Sequence, residues 1–71
     1  KTILITGASS GLGAATATLF QAKGWNVIAT MRNPAGQTAL TQSDTLLITR
    51  LDVTDSTSID QAVEAGIRQF G

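Results

Sequence analysis

The sequence predicts an α/β fold built on a parallel sheet, and two observations carry that expectation. Apolar, β-branched runs alternate with helical patterns along the whole chain. A glycine-rich turn, Thr6-Gly7-Ala8-Ser9-Ser10-Gly11-Leu12-Gly13, joins the first run to the first helical pattern. Strand–helix alternation at these lengths means βαβ units, whose crossovers are right-handed. The expected strand order is therefore 3-2-1, with the first two helices on one face and the last on the other.

Each element has its own sequence signal. Residues 2–6 form a continuous β-branched and apolar run, expected as a strand buried on both faces. Residues 11–23 read as a helix, with Leu12, Ala15, Leu19 and Ala22 as its apolar stripe. Gly24 falls where helices end in a left-handed residue. Residues 25–30 form the second strand, centred on Val27, Ile28 and Ala29. Asn33-Pro34 reads as an N-cap with proline at the first helical position. The helix after it, near 35–42, is expected to be short or irregular because Gly36 lowers its propensity. Residues 46–51 form the third strand. Residues 56–70 form a long helix, with Ile59, Ala62, Val63, Ile67 and Phe70 on one side and a favourable Glu64–Arg68 pair. Phe20, Trp25 and Phe70 lie near apolar stripes or strand starts, so core packing is their expected role.

Composition narrows the function classes. The 71 residues carry five Lys+Arg and five Asp+Glu, so the net charge is zero. That balance gives no electrostatic case for nucleic acid or an anionic membrane. No apolar run approaches the ~20 residues of a membrane span. Cysteine and histidine are both absent, which removes the usual zinc ligands and all disulfides. A cytoplasmic location is expected. The length is short of the ~100–150 residues common for a domain. Residues 1–71 are therefore expected to be the incomplete N-terminal part of a single dinucleotide-binding domain of the Rossmann type.

The glycine turn points to a phosphate-bearing ligand. A helix's first N–H groups lack intrahelical partners, and the helix dipole places partial positive charge there. Gly7 permits a sharp turn off the strand, Gly11 permits close approach of a pyrophosphate, and Gly13 permits tight helix–strand packing. The spacing is G-x-x-x-G-x-G. A P-loop needs Gly-Lys-Ser/Thr at its end, and Gly13 is followed by Ala14. A flexible Gly/Ser linker is the bland alternative. The hydroxyls of Ser9 and Ser10 are candidate phosphate donors, against an ordinary role in the turn and helix start. Leu12 is expected to pack its side chain while its N–H faces the phosphates.

The Thr-Gly-x-x-x-Gly-x-Gly pattern, with Leu51-Asp52-Val53-Thr54-Asp55 at the end of the third strand, resembles the short-chain dehydrogenases/reductases. The resemblance runs through the whole chain. It implies that the Leu12 N–H approaches the phosphate on the nicotinamide side. It also implies that Asp52 accepts from the adenine amino group and that Val53 supplies backbone and an apolar wall. A turn or capping role is the alternative for Asp52, though Asp55 is the better candidate for that role and Thr54 could serve it too.

Cofactor choice falls at the end of the second strand. A NAD site places an acid about 20 residues beyond the glycines, and an Arg nearby answers a 2′-phosphate. Neither Met31 nor Arg32 is acidic, so Arg32 points to NADP over NAD. A solvated surface charge is the alternative for Arg32.

The family's chemistry rests on a Tyr, a Lys four residues later and an upstream Ser. The chain has no Tyr and no Asn-Asn-Ala-Gly motif, so no catalytic residue is assigned and the 71-residue chain alone is expected to be inactive. The resemblance implies a complete protein, expected as a homo-oligomer, that transfers hydride between nicotinamide and a carbonyl or alcohol substrate. A non-catalytic NADP-binding sensor on the same scaffold is the alternative, and a structural fragment with no ligand site is a third reading.

Overall fold

The computed structural model describes residues 1–36 and 40–71. Strand β1 (Thr2–Ile5) leads into helix α1 (Gly11–Ala22), and strand β2 (Asn26–Met31) into a 3-10 turn (Pro34–Gly36). Strand β3 (Leu46–Arg50) and helix α2 (Ser56–Phe70) follow. The strands form one parallel sheet in the order β1-β2-β3, with β2 central. Traced from the other edge, this is the expected 3-2-1.

Side-chain alternation along β2 separates the two faces. Val27, Ala29 and Met31 join Ala14, Ala17, Leu40 and Leu46 in one core under α1. Ile28 points the other way and meets α2 at Gly66. The two helices therefore cover opposite faces, which is the doubly wound arrangement.

The packed stripes differ from those expected. In α1 the buried residues are Ala14 and Ala17, while Leu12 is 82% and Leu19 53% exposed. In α2 they are Ser58, Ala62 and Gly66, while Ile59, Val63 and Ile67 stand 37–61% exposed. The physical reason is distance. A Cβ on Gly66 would overlap Ile28 Cδ1, so small residues face the sheet and large ones turn outward. Strand β1 is not buried on both faces either. Thr2 and Leu4 are open, while Ile3 and Ile5 pack against the α1 core. Within residues 1–71 β1 lies at the edge of the sheet, and α2 packs over β3 and β2.

Where the second helix was expected, Pro34–Gly36 form a 3-10 turn, closed by a bond from the Gly36 N–H to Asn33 O at 3.2 Å. The rest of that expected helix lies partly at 37–39, outside the described residues, and 40–42 are not helical. Leu40 instead packs into the core.

Helix ends follow the sequence signals. Gly24 adopts φ +84° after α1, and its N–H donates to Gln21 O at 3.1 Å. The following Trp25 packs edge-on against Phe20, ring centroids 5.1 Å apart, with Lys1 Nζ 5.3 Å from its ring. Asp55 caps α2, its Oδ1 accepting from the Thr57 N–H at 3.0 Å. Among the described residues no helix is long and apolar enough to cross a membrane, and no cluster of metal-ligating side chains forms.

Loss of the α2 cap is directly measurable. Asp55→Ala is expected to destabilise the fold by about 1 kcal/mol, and Asp55→Asn to keep most of the capping energy. Equilibrium urea unfolding of the three proteins checks both.

Candidate cofactor site

All three strands point the same way, so their C-terminal ends share one edge of the sheet. A cleft of about 410 Å³ opens above that edge. Thr6, Gly7 and Ser9 of the glycine turn form one wall. Met31, Arg32 and Asn33 after β2, with Leu51 and Val53 after β3, form the other. A wider hollow, about 540 Å³, lies near the start of β3 among Gln42, Ser43, Asp44 and Gln69. It has neither a glycine turn nor a helix N-terminus, so the smaller cleft is the candidate site.

The turn is shaped by two steric demands. Gly7 sits at φ +67°, a conformation costly for any residue with a Cβ. A Cβ on Gly13 would overlap the Gly7 carbonyl oxygen and come within 2.9 Å of Ala8 Cα. Gly11 faces open space, so its lack of a side chain answers to nothing inside the chain.

Ser10 is the N-cap of α1. Its Oγ accepts from the Gly13 N–H at 3.1 Å and donates to Gly7 O at 2.9 Å. That hydroxyl proton is already used within the turn, which is the ordinary helix-start role. Ser9 is exposed on the cleft wall. The first intrahelical bond runs from the Ala14 N–H to Ser10 O, so the N–H groups of Gly11 and Leu12 precede it without helical partners. The Leu12 side chain does not pack as expected. It projects outward because the helix face toward the sheet admits only small residues.

Beyond β2, Met31 is 2% exposed and belongs to the α1 core, while Arg32 is exposed at the cleft. An acid at Met31 would be desolvated, so Arg32 is the solvent-facing charge of this wall.

Asp52 begins the turn after β3. Its Oδ1 accepts from the Thr54 hydroxyl at 2.7 Å and the Thr54 N–H at 3.0 Å. These bonds, the hydroxyl's first, hold its carboxyl below the ordinary aspartate value. Desolvation opposes them, and the Arg32 and Arg50 charges lower the value further. Asp52 is thus a turn former as well as a rim residue. The Asp52 N–H donates to Ser58 Oγ at 2.9 Å, and Ser58 is buried. Val53 is exposed on the cleft. Thr6 and Leu51 stand in the sequence motifs and Asn33 as a cap, but none was expected to line the site; their position beside the glycine turn or at a strand's C-terminal end was the available signal. Ser58, within α2, carried no sequence signal.

A doubly wound sheet with a glycine turn opening α1 beneath its C-terminal edge defines a nucleotide-binding α/β protein of the Rossmann type. The chain belongs to the short-chain dehydrogenase family, whose model matches residues 1–71. It is 44% identical over 71 residues to an uncharacterised oxidoreductase of Schizosaccharomyces pombe, matching all of this chain and 24% of that protein. A structure assigned as a 3-oxoacyl-reductase of Bacillus thuringiensis superposes with TM-score 0.82 at 26% identity, over 100% of this chain and 32% of that one. A protein assigned as a short-chain dehydrogenase/reductase of Burkholderia multivorans, solved with NADP bound, superposes with TM-score 0.71 at 39% identity, over 99% of this chain and 31% of that one. The chain spans about a quarter of the length of the curated relative.

Two expectations follow from this geometry. Gly13→Ala should cost about 1–3 kcal/mol of stability, because backbone atoms must move to admit the Cβ. Gly11→Ala should stay within about 0.5 kcal/mol of the parent. Urea unfolding of both variants tests the contrast.

The second expectation concerns pH. The folded carboxyl of Asp52 has a depressed pKa, so its contribution is full above the unfolded value and is lost as pH falls through the folded one. Asn can form the same turn without titrating. Below about pH 4, the parent should therefore lose stability more steeply than Asp52→Asn, measured by unfolding at a series of pH values.

Proposed function

We propose that the protein containing this chain is an NADP(H)-dependent oxidoreductase acting on a carbonyl or alcohol, and that residues 1–71 are the N-terminal part of its dinucleotide-binding domain. One observation carries the reading: Arg32 lies on the same cleft as the glycine turn, with the apolar Met31 side chain directed into the core. The family match and the NADP bound by the Burkholderia relative support it.

NADP(H), when bound, supplies the hydride acceptor or donor. This chain's residues would hold it. Gly7, Gly11 and Gly13 shape the turn, the Gly11 and Leu12 N–H groups meet the pyrophosphate, and Ser9 and Ser10 border it. Gly11 has no side chain on the side open to the phosphates, which explains a glycine where the fold imposes none. Asp52 and Val53 border the adenine. One Asp52 oxygen is engaged by Thr54, and the other is the acceptor for the adenine amino group. We assign no catalytic residue within 1–71; the groups that handle the substrate's proton belong to the rest of the protein.

Arg32 is the residue that distinguishes the two cofactors. NADP carries a 2′-phosphate that NAD lacks, and a guanidinium can meet it with two parallel N–H bonds. Hydrogen bonds to charged groups are worth about 1.5–3 kcal/mol, and solvent exposure favours the lower end. Arg32→Ala should weaken NADP⁺ binding about tenfold and leave NAD⁺ nearly unchanged. Calorimetric titration of the complete protein at one fixed salt concentration tests this. Trp25, before the start of β2, is at the far end of the sheet from the cleft and is a poor optical reporter. Equal losses for both cofactors would refute the assignment of Arg32.

A further inference from the structure

The cofactor reading leaves one fully buried hydroxyl without a task. Thr30 precedes Met31 at the C-terminal end of β2 and is 0% exposed. Its Oγ1 donates to Ile5 O at 2.7 Å. Its own carbonyl oxygen accepts from the Ala8 N–H at 3.0 Å. Ile5 is the last residue of β1, and Ala8 is the first residue after Gly7. One residue therefore grips the chain on both sides of Thr6-Gly7.

These bonds lie where the sheet stops being regular. The β1–β2 register ends at Ile5↔Ala29. A continued parallel ladder would bring the Gly7 N–H to the Thr30 carbonyl. The Ala8 N–H arrives instead, so the chain gains a residue over the ladder, with Gly7 at φ +67°. The position at which β1 leaves the sheet is set by these two bonds, and the start of α1 follows from it through the Gly13 contact with Gly7. A buried, β-branched strand position is satisfied by valine as far as packing goes. The oxygen is what valine would lack.

We propose that Thr30 is a positioning residue for the phosphate turn: its hydroxyl holds the Gly7 turn in the geometry that presents the α1 N-terminus to the pyrophosphate. The proposal rests on the cofactor reading above. Thr30 is two residues before Arg32, which directly follows β2, so one segment sets the phosphate turn and carries the 2′-phosphate contact.

The test uses three ligands on the complete protein: NAD⁺, NADP⁺ and adenosine 2′-monophosphate, which lacks the pyrophosphate. Thr30→Val should weaken NAD⁺ and NADP⁺ by the same factor, about three- to tenfold, and leave adenosine 2′-monophosphate unchanged. Thr30→Ser, which keeps the hydroxyl, should restore both dinucleotides. Unchanged dinucleotide affinity in Thr30→Val overturns the proposal. So does an equal loss for adenosine 2′-monophosphate, a Thr30→Val protein that does not fold, or failure of serine to rescue. Arg32→Ala in the same titrations should weaken NADP⁺ and adenosine 2′-monophosphate alone. If it does not, the reading of Arg32 fails while the Thr30 result stands. A parent protein that binds none of the three ligands refutes both.

Discussion

The contact between Gly13 and the carbonyl of Gly7 sets the spacing on which the rest of this chain is arranged. No side chain fits between them, so α1 starts directly against the turn that ends β1. Once the helix is that near, its inner face admits only Ala14 and Ala17, and Leu12 and Leu19 are forced outward. The same closeness keeps the N–H groups of Gly11 and Leu12, which have no helical partner, directly after the turn whose Gly7 and Ser9 line the cleft. A helix terminus set one side chain farther away would keep its dipole but lose direct reach to a ligand, because the effect falls off within the first turn.

Small polar side chains hold this arrangement, each with a specific backbone partner. Ser10 caps α1, Asp55 caps α2, Thr30 joins β2 to the end of β1, and Ser58 receives the Asp52 N–H. Thr30 and Ser58 are both buried, yet among the described residues no buried side-chain polar atom lacks a partner. Burying such groups is tolerable only under that condition. Their hydrogen bonds are short-range and directional, so they fix loop geometry that a non-directional apolar core cannot specify. The three strand ends thus have a defined shape even where the chain between them is loop.

The element order and most boundaries were legible because glycine, proline and capping residues punctuate the chain. Ser56–Phe70 and the start of α1 at Gly11 match their signals. The buried faces were misread for one reason. A hydrophobic stripe marks the packed face only when large residues do the packing, and here the sheet is met by Ala14, Ala17, Ser58, Ala62 and Gly66. Counting apolar residues therefore selected Leu12 and Val63, which the geometry leaves open. The glycine turn of the candidate site was legible as a motif, since such a turn announces its own backbone. How each hydroxyl is used was not, because Ser10 can serve a cap or a ligand with the same sequence spacing. Thr30 did leave a trace: a polar residue inside the apolar run from Val27 to Met31.

The cleft wall combines charges of opposite sign, and their arrangement decides what it can accept. A carboxylate at Asp52 would be expected to repel a phosphate bound nearby. Its Oδ1, however, is turned into the Asx turn with Thr54, whose hydroxyl and N–H stabilise the charge locally. Arg32 and Arg50 both act on it and favour its ionised form, and Arg50 Nη1 lies 3.5 Å from Ser58 Oγ, at the start of α2. Among the described residues Arg32 forms no ion pair with Asp52, so that carboxylate does not occupy its donors. The rim can therefore keep an acceptor near β3 and a cationic donor near β2 without one cancelling the other. That separation is what a ligand bearing both an amino-substituted base and a phosphate would require of it.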